Sequence, residues 1–287
     1  MPTDVLVAQD LSCVGQVSMS VALPLLGAAG LRPTVLPTAL LSTHTGGFGA
    51  NTYLDLSSEI EKIIAHWHSL NFNFSAVYLG YLGQKPLEML LQHFDTLVTP
   101  QSFNLIDPVM GDNGHLYHGF DSNYIDGMRQ LISKAQLITP NVTEAALLLG
   151  KTTSFKQALT LHEAQDLLQE LAQAFNKQQI VLTGVHLTNG KIAVLGYDKI
   201  SREIWNQQQE KIPGNYFGTG DIFASVLFIM LLKGSTIRMA VKIAMEFVSN
   251  SIQSTLEAPG FNARYGVNYA PHLPQLLKKI AHIQRRI

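Results

Sequence analysis

The sequence predicts an α/β fold in one domain over residues 1–287, with a mostly parallel central sheet and helices on both faces. Three observations lead there. Short β-rich runs alternate with longer segments of helical period through most of the chain, the arrangement that parallel strands and their crossover helices require. No run of Pro, Ser or charge divides the chain, and 287 residues can bury roughly three quarters of their unfolded surface in one body. Unusual polar residues fall just after the strand runs, where open parallel sheets take their ligands. Asp10, the His44-Thr45 loop, Tyr81, Asp107, Thr139 and Thr183 all do so.

The elements follow in order. Asp4–Gln9 (DVLVAQ) reads as a buried strand with a turn at Ser12–Gly15. Val17–Ala29 is an apolar helix that Gly30 stops. A strand near Thr34–Ala39 enters the loop STHTGGFGAN. In the amphipathic helix Ser58–Leu70, Ser58 and Glu61 have capping-box spacing. Ala76–Gly80 is a strand, Leu87–Leu97 a helix and Phe103–Asp107 a strand. Gln136–Thr139 (strand), Val142–Leu149 (helix), Leu161–Asn176 (helix) and Gln179–Thr183 (strand) come next. Lys191–Tyr197 and Glu203–Asn206 make an antiparallel hairpin. Two apolar helices, Asp221–Lys233 and Ile237–Leu256, complete the body.

Composition narrows the function. Lys+Arg 20 against Asp+Glu 21 leaves no excess cation for a phosphate backbone, so nucleic acid is not an expected partner. Lys278-Lys279 and Arg285-Arg286 read as a solvated face of a short helical tail. One cysteine, Cys13, allows no intrachain disulfide and no thiolate metal cage. The longest apolar stretch, Val226–Leu232, is far short of the ~20 residues of a membrane span. Asp4 interrupts the first apolar residues, so no signal peptide is expected and the expected compartment is the cytoplasm. His66 and His68, two apart on a helix, point to different sides and cannot share a metal.

Three motifs carry chemistry. Gly218-Thr219-Gly220-Asp221 opens a helix, where converging N–H groups and the dipole favour an anion. Asp221 beside them could take a proton from an attacking hydroxyl, or could merely cap the helix. Asp107-Pro108-Val109-Met110-Gly111-Asp112 sets two carboxylates after a buried strand. Mg²⁺ needs only one or two such groups plus substrate phosphates, but Asp107 could equally cap a turn. In Thr139-Pro140-Asn141-Val142-Thr143-Glu144, Asn141 and Glu144 share a helix face, to serve phosphate and metal or to form an Asn cap.

Together these motifs resemble the vitamin B6 (pyridoxal, pyridoxine and pyridoxamine) kinases of the ribokinase-like superfamily. Val14-Gly15, Ser42–Thr45, Gly80–Gly83 and Val181–Thr183 extend the match over nearly the whole chain, in order and spacing. The resemblance implies an ATP- and Mg²⁺-dependent homodimeric kinase acting on the 5′-hydroxymethyl group of a B6 vitamer, and leaves a monovalent cation such as K⁺ open. It makes Asp221 the catalytic base and Gly218, Thr219 and Gly220 the anion hole. Asp107 and Asp112 match positions at the ATP phosphates, with Asp107 and Glu144 serving the metal, directly or through water. Thr139, Asn141, Thr183 and Tyr117 match ATP contacts, and Ile212 falls where the adenine packs. Thr45 and Tyr81 match positions that hold and cover the pyridine ring.

Two positions depart from the family. Asp10 stands where many B6 kinases have serine, and could pair with the aminomethyl cation of pyridoxamine or cap the following turn. Gly184 follows Thr183 where a hydroxyl residue is usual. Three rivals remain: a hydroxymethylpyrimidine kinase, a non-catalytic nucleotide- or vitamin-binding protein, and a nicotinamide dehydrogenase. The first usually has a Gly-Gly-Ala stretch in its N-terminal loop, unlike Leu11–Val17; the last lacks its Gly-x-Gly-x-x-Gly. A Gly-x-x-x-x-Gly-Lys-Ser/Thr loop is missing as well.

Overall fold

The computed structural model describes residues 4–151, 158–175, 179–260 and 262–284. Asn176, the expected end of one helix, and Arg285-Arg286 lie outside them. Along the chain run β1 (Asp4–Ser12), α1 (Met19–Ala28), β2 (Arg32–Leu41), β3 (Tyr53–Asp55), α2 (Ser57–Ser69), β4 (Phe74–Leu79), α3 (Gln84–Leu97) and β5 (Val98–Ile106). Then come β6 (Gly111–Asp112), β7 (His115–Leu116), α4 (Ser122–Ile132), β8 (Leu137–Ile138), α5 (Val142–Leu148), α6 (Leu161–Ala174), β9 (Gln179–His186), β10 (Lys191–Tyr197) and β11 (Ile204–Glu210). The helices α7 (Thr219–Leu232), α8 (Ile237–Glu257) and α9 (Leu273–Gln284) end the fold. Mostly parallel strands with helices on both faces, the class expected, is the class found.

The chain forms two compact units, one of residues 1–60 with 212–287 and one of residues 61–211. In the first, β1 pairs in parallel with β2, and β3 turns back antiparallel on β2. The helix α1 packs on β1, β2 and α7, and α7 on α8. Every residue of α7 from Ile222 to Met230 is buried, so the helix is apolar all round as a core helix must be. In the second, β4, β5, β8 and β9 run parallel in that order, and β10 and β11 add antiparallel edges. The expected hairpin is the β10–β11 pair.

Some expectations need correction. Asp10 lies inside β1 and Thr183 inside β9, not after them. Ser58 is the second residue of α2, and the Ser57 N–H donates to Asp55 Oδ1 at 2.8 Å, so the Ser58–Glu61 box does not start that helix. The strand β3, the β6–β7 hairpin and α4 were not foreseen. The side chain of Asp121 caps α4 by accepting from the Asn123 and Tyr124 N–H groups. Its Gly127 weakens the helical pattern for a packing reason: a Cβ there would lie 3.0 Å from a Leu87 methyl.

Candidate active site

Each unit gathers one polar cluster. In the first, β1 presents Asp10 near its end, where the register against β2 shifts between Gln9 and Leu11; a bulge of this kind re-aims the neighbouring side chain. Asp10 is only 4% exposed. Its carboxylate accepts the Ser12 hydroxyl at 3.0 Å.

Gly218 caps α7 with φ +77°. A Cβ there would lie 2.1 Å from the Gln16 carbonyl oxygen, so only glycine fits. Beyond it, α7 leaves its first N–H groups without intrahelical partners, at the positive end of the dipole. The Thr219 hydroxyl donates to the Tyr216 carbonyl at 3.1 Å. Gly220 is exposed, and nothing lies within 4 Å of where its Cβ would stand. Asp221 is the third residue of α7, not its cap. The capping alternative for Asp221 therefore falls.

The charge of this cluster is unusual. Asp221 is half-buried, and desolvation pushes its carboxyl up from 3.8 to about 7; the Ser18 N–H opposes that shift and the Asp10 charge adds to it. Burial also raises Asp10, against the hydrogen bonds from Ser18, Ser12 and its own N–H and the influence of His44. Two neighbouring carboxyl groups each make ionisation of the other harder.

His44 is buried. Its Nδ1 accepts the Gly46 N–H at 3.0 Å and its Nε2 lies 2.5 Å from the Arg264 carbonyl, a pairing that assigns the proton to Nε2. Phe48 and Phe217 flank the ring at 5.0 and 4.8 Å, and Tyr265 meets Phe48 at 5.5 Å. Thr45 is exposed beside them. Sequence reasoning assigned no role to Ser18, Phe48 or Phe217, although Phe217 directly precedes the Gly218 motif.

The second cluster joins β5, β8, α5 and β9. Asp107, just past β5 and 8% exposed, accepts the Thr139 hydroxyl at 3.0 Å. Glu144 is buried, and its two oxygens accept the Met110 N–H at 3.1 Å and the Asn141 N–H at 2.9 Å. The Asn141 side-chain oxygen accepts the Glu144 N–H in return, and its amide donates to the Gly111 carbonyl at 2.9 Å. This is a complete capping box, so the structural alternative for that motif is realised. Thr183 donates its N–H to the Pro140 carbonyl at 2.9 Å. Burial, then the Asp107 charge, raises the Glu144 carboxyl well above its usual range against its two N–H donors; Asp112 adds to the rise.

The remaining expected residues sit further out. Asp112 is exposed and takes both its hydrogen bonds from Asn113. Tyr117 is 38% exposed, with its N–H on the Met110 carbonyl. Tyr81 is half-buried and stacks on Phe120 at 5.4 Å. Ile212 is half-buried after β11. Among the described residues, no three His, Cys, Asp or Glu side chains converge as a metal cage, and no helix is long and apolar enough to cross a membrane.

The mostly parallel α/β scaffold, with Gly-Thr-Gly-Asp opening α7, is that of the small-molecule kinases of ribokinase-like fold on which the chain superposes. The chain belongs to the phosphomethylpyrimidine kinase family, which matches residues 26–266. It is 29% identical to a pyridoxine/pyridoxal/pyridoxamine kinase of Bordetella bronchiseptica, over 90% of this chain and 91% of that one. The pyridoxal kinase of Lactobacillus plantarum superposes with a TM-score of 0.89 at 33% identity, over 98% of this chain and 99% of that one. A Bacteroides thetaiotaomicron protein named for phosphomethylpyrimidine kinase and crystallised with pyridoxal superposes at 0.86 with 34% identity, over 97% and 96% of the two chains. The resemblance to B6 kinases read from the sequence is borne out.

Proposed function

We propose that this chain transfers the γ-phosphoryl group of ATP to the 5′-hydroxymethyl group of a B6 vitamer, in salvage of pyridoxal 5′-phosphate. The observation that carries the reading is Asp221, a carboxyl raised to about 7 at the start of α7 in a chain of this family. A base with that affinity can take the hydroxyl proton near neutral pH as the oxygen attacks phosphorus. The β–γ bond then breaks and ADP leaves. The N–H groups of Gly218, Thr219 and Gly220 are assigned to the charge that builds on the transferring group. The open side of Gly220 suits close approach of an anion to bare backbone.

The acceptor side falls to the first unit. Asp10 and Thr45 are assigned to the heterocycle's substituents, with the half-buried rings of Phe48 and Phe217 offering flat faces for it. Tyr81 keeps its proposed role as a cover of the pyridine ring. Thr139, Asn141, Thr183, Asp107, Asp112 and Tyr117 are assigned to ATP, as is Ile212 to its adenine. The residues fit Mg²⁺: Asp107 and Glu144 are buried carboxyl groups that repel each other, and a cation offsets that repulsion. Each Glu144 oxygen accepts one N–H and keeps a second lone pair, so Glu144 would serve a cation directly or through water. When bound, Mg²⁺ would neutralise charge on the phosphates. A monovalent cation, a cytoplasmic location and a single kinase domain over 1–287 belong to the same proposal; for the last, support comes from superpositions that span both units.

A homodimer is part of it too. Leu11 pairs with Leu40 and Leu40 with Leu54 across β1, β2 and β3; they are 37, 37 and 56% exposed, with Tyr53 at 45%. Such an apolar row on an edge suits a second copy. Leu54→Glu is expected to halve the mass seen by light scattering; a wild-type monomer would end the idea.

The test is ADP release from Mg·ATP with pyridoxal, pyridoxine, pyridoxamine and hydroxymethylpyrimidine as acceptors. Turnover of the vitamers above the pyrimidine is expected. Preference for the pyrimidine, which the family name keeps in play, would overturn the substrate assignment, and no turnover would favour a binding protein. In the same assay Asp10→Ser is expected to lower the pyridoxamine-to-pyridoxal ratio of kcat/KM. An unchanged ratio removes the pairing of Asp10 with an amine.

A further inference from the structure

Phe48 sits in a loop that cannot fix its ring unaided. Gly47 and Gly49 flank it with φ +79° and +77°, and glycines leave a loop more conformations to lose than any other residue. The restraint comes from near the other end of the chain. Arg264, in the short helical turn Ala263–Tyr265, touches the loop at three points, with Thr45 between the first two. Its carbonyl oxygen accepts from His44 Nε2 at 2.5 Å. Its Nη1 donates to the Gly47 carbonyl at 3.4 Å, and a Cβ on Gly47 would stand 3.0 Å from its Cγ. Its guanidinium carbon stands 5.6 Å from the centre of the Phe48 ring, within cation–π range. Arg264 is held in turn: Asn262 Oδ1 accepts its backbone N–H at 3.1 Å and its Nε at 3.2 Å. Next to it, Tyr265 accepts the Gln16 N–H on its carbonyl at 2.9 Å, and the Gln16 carbonyl is the group that Gly218 packs against. One short turn thus fastens the loop of Thr45 and Phe48 and the start of α7 to the same support.

We propose that Arg264 is a positioning residue for the acceptor: its side chain grips Gly47 and Phe48 and so sets the Phe48 ring and the Thr45 hydroxyl against the heterocycle. The inference rests on the acceptor-side assignment above and deepens it. The contact with His44 is made by the backbone carbonyl, which any residue at 264 keeps. Substitution therefore removes the grip on Gly47 and Phe48 and leaves the buried His44 ring seated. Arg264 contacts none of the groups assigned to ATP and does not touch Asp221. Its loss is expected to weaken acceptor binding while ATP binding and the chemical step stay as they are. Arg264 is exposed, so the same loss costs the fold little. Lysine would keep a cation near the ring and lose the planar fork that also reaches Gly47 and Asn262.

The test measures KM for pyridoxal, KM for ATP, kcat and Tm in wild type, Arg264→Ala, Arg264→Lys, Phe48→Leu and the double variant Arg264→Ala/Phe48→Leu. Arg264→Ala is expected to raise KM for pyridoxal about three- to tenfold, with KM for ATP, kcat and Tm close to wild type. Arg264→Lys should fall between the two. Phe48→Leu should raise KM for pyridoxal by itself. Adding Arg264→Ala to it should cost less than Arg264→Ala costs wild type, because the arginine acts in part through that ring. An active wild type whose KM for pyridoxal survives Arg264→Ala overturns the inference and leaves the kinase reading intact. So does a variant in which both KM values rise together with a drop in Tm, which would make Arg264 a support of the fold only. A wild type inactive on every vitamer overturns both.

Discussion

At Asp221 the requirements of catalysis and of folding oppose each other, and the opposition is measurable. The native state holds the Asp221 proton up to about pH 7, whereas the unfolded chain releases it near 3.8. Between those values the folded protein binds the proton more tightly, so stability falls as pH rises through the window and stays lower above it. Asp221→Asn removes this cost. The variant is expected to melt above wild type at about pH 8, with the two converging toward about pH 4. A variant less stable than wild type at the higher pH would show that the carboxylate is satisfied in the fold. Asp221 stood out as an acid after Gly-x-Gly at a helix start, but that short pattern suits a cap as well, and only the family resemblance gave it a role. Ser18 gave no signal, because nothing in a serine announces a positive φ.

Individual elements place these residues through a few close approaches. The start of α7 depends on Gly218, whose backbone touches the Gln16 carbonyl and has the left-handed φ of +77°. Gly218→Ala would have to move that carbonyl and strain its own backbone, and is expected to cost roughly 1–3 kcal/mol in denaturant unfolding. Loss of less than a few tenths would mean that the loop yields freely. Long apolar or amphipathic runs such as α6, α7 and α8 were legible to within a few residues, since a buried face imposes its period on the sequence. The short pieces were not: β3, β6 and β7 span two or three residues, too few for a period to register. In α5 the structural alternative is realised, since Glu144 closes the capping box, and the same side chain sets a buried carboxyl beside Asp107.

For the molecule as a whole, the chemistry divides between the two units. One holds Asp221, Asp10 and the aromatic rings around His44, and the other holds the buried carboxyl groups of Asp107 and Glu144. A near-neutral chain with Lys+Arg 20 and Asp+Glu 21 has little long-range charge for gathering phosphates, so recognition falls to local groups such as helix N-termini. The fold class was readable because the alternation of strand and helix runs the length of the chain. Which polar residues converge was readable only through the family resemblance, since spacing in sequence does not fix which strand ends become neighbours. The central claim is that Asp221 takes the acceptor's proton. The most direct measurement is Mg·ATP-dependent phosphorylation of a B6 vitamer by Asp221→Asn, alongside calorimetric titration of the same vitamer. Vitamer affinity close to wild type with a turnover about 10²–10⁴ times lower is expected; turnover within a few-fold of wild type would contradict it.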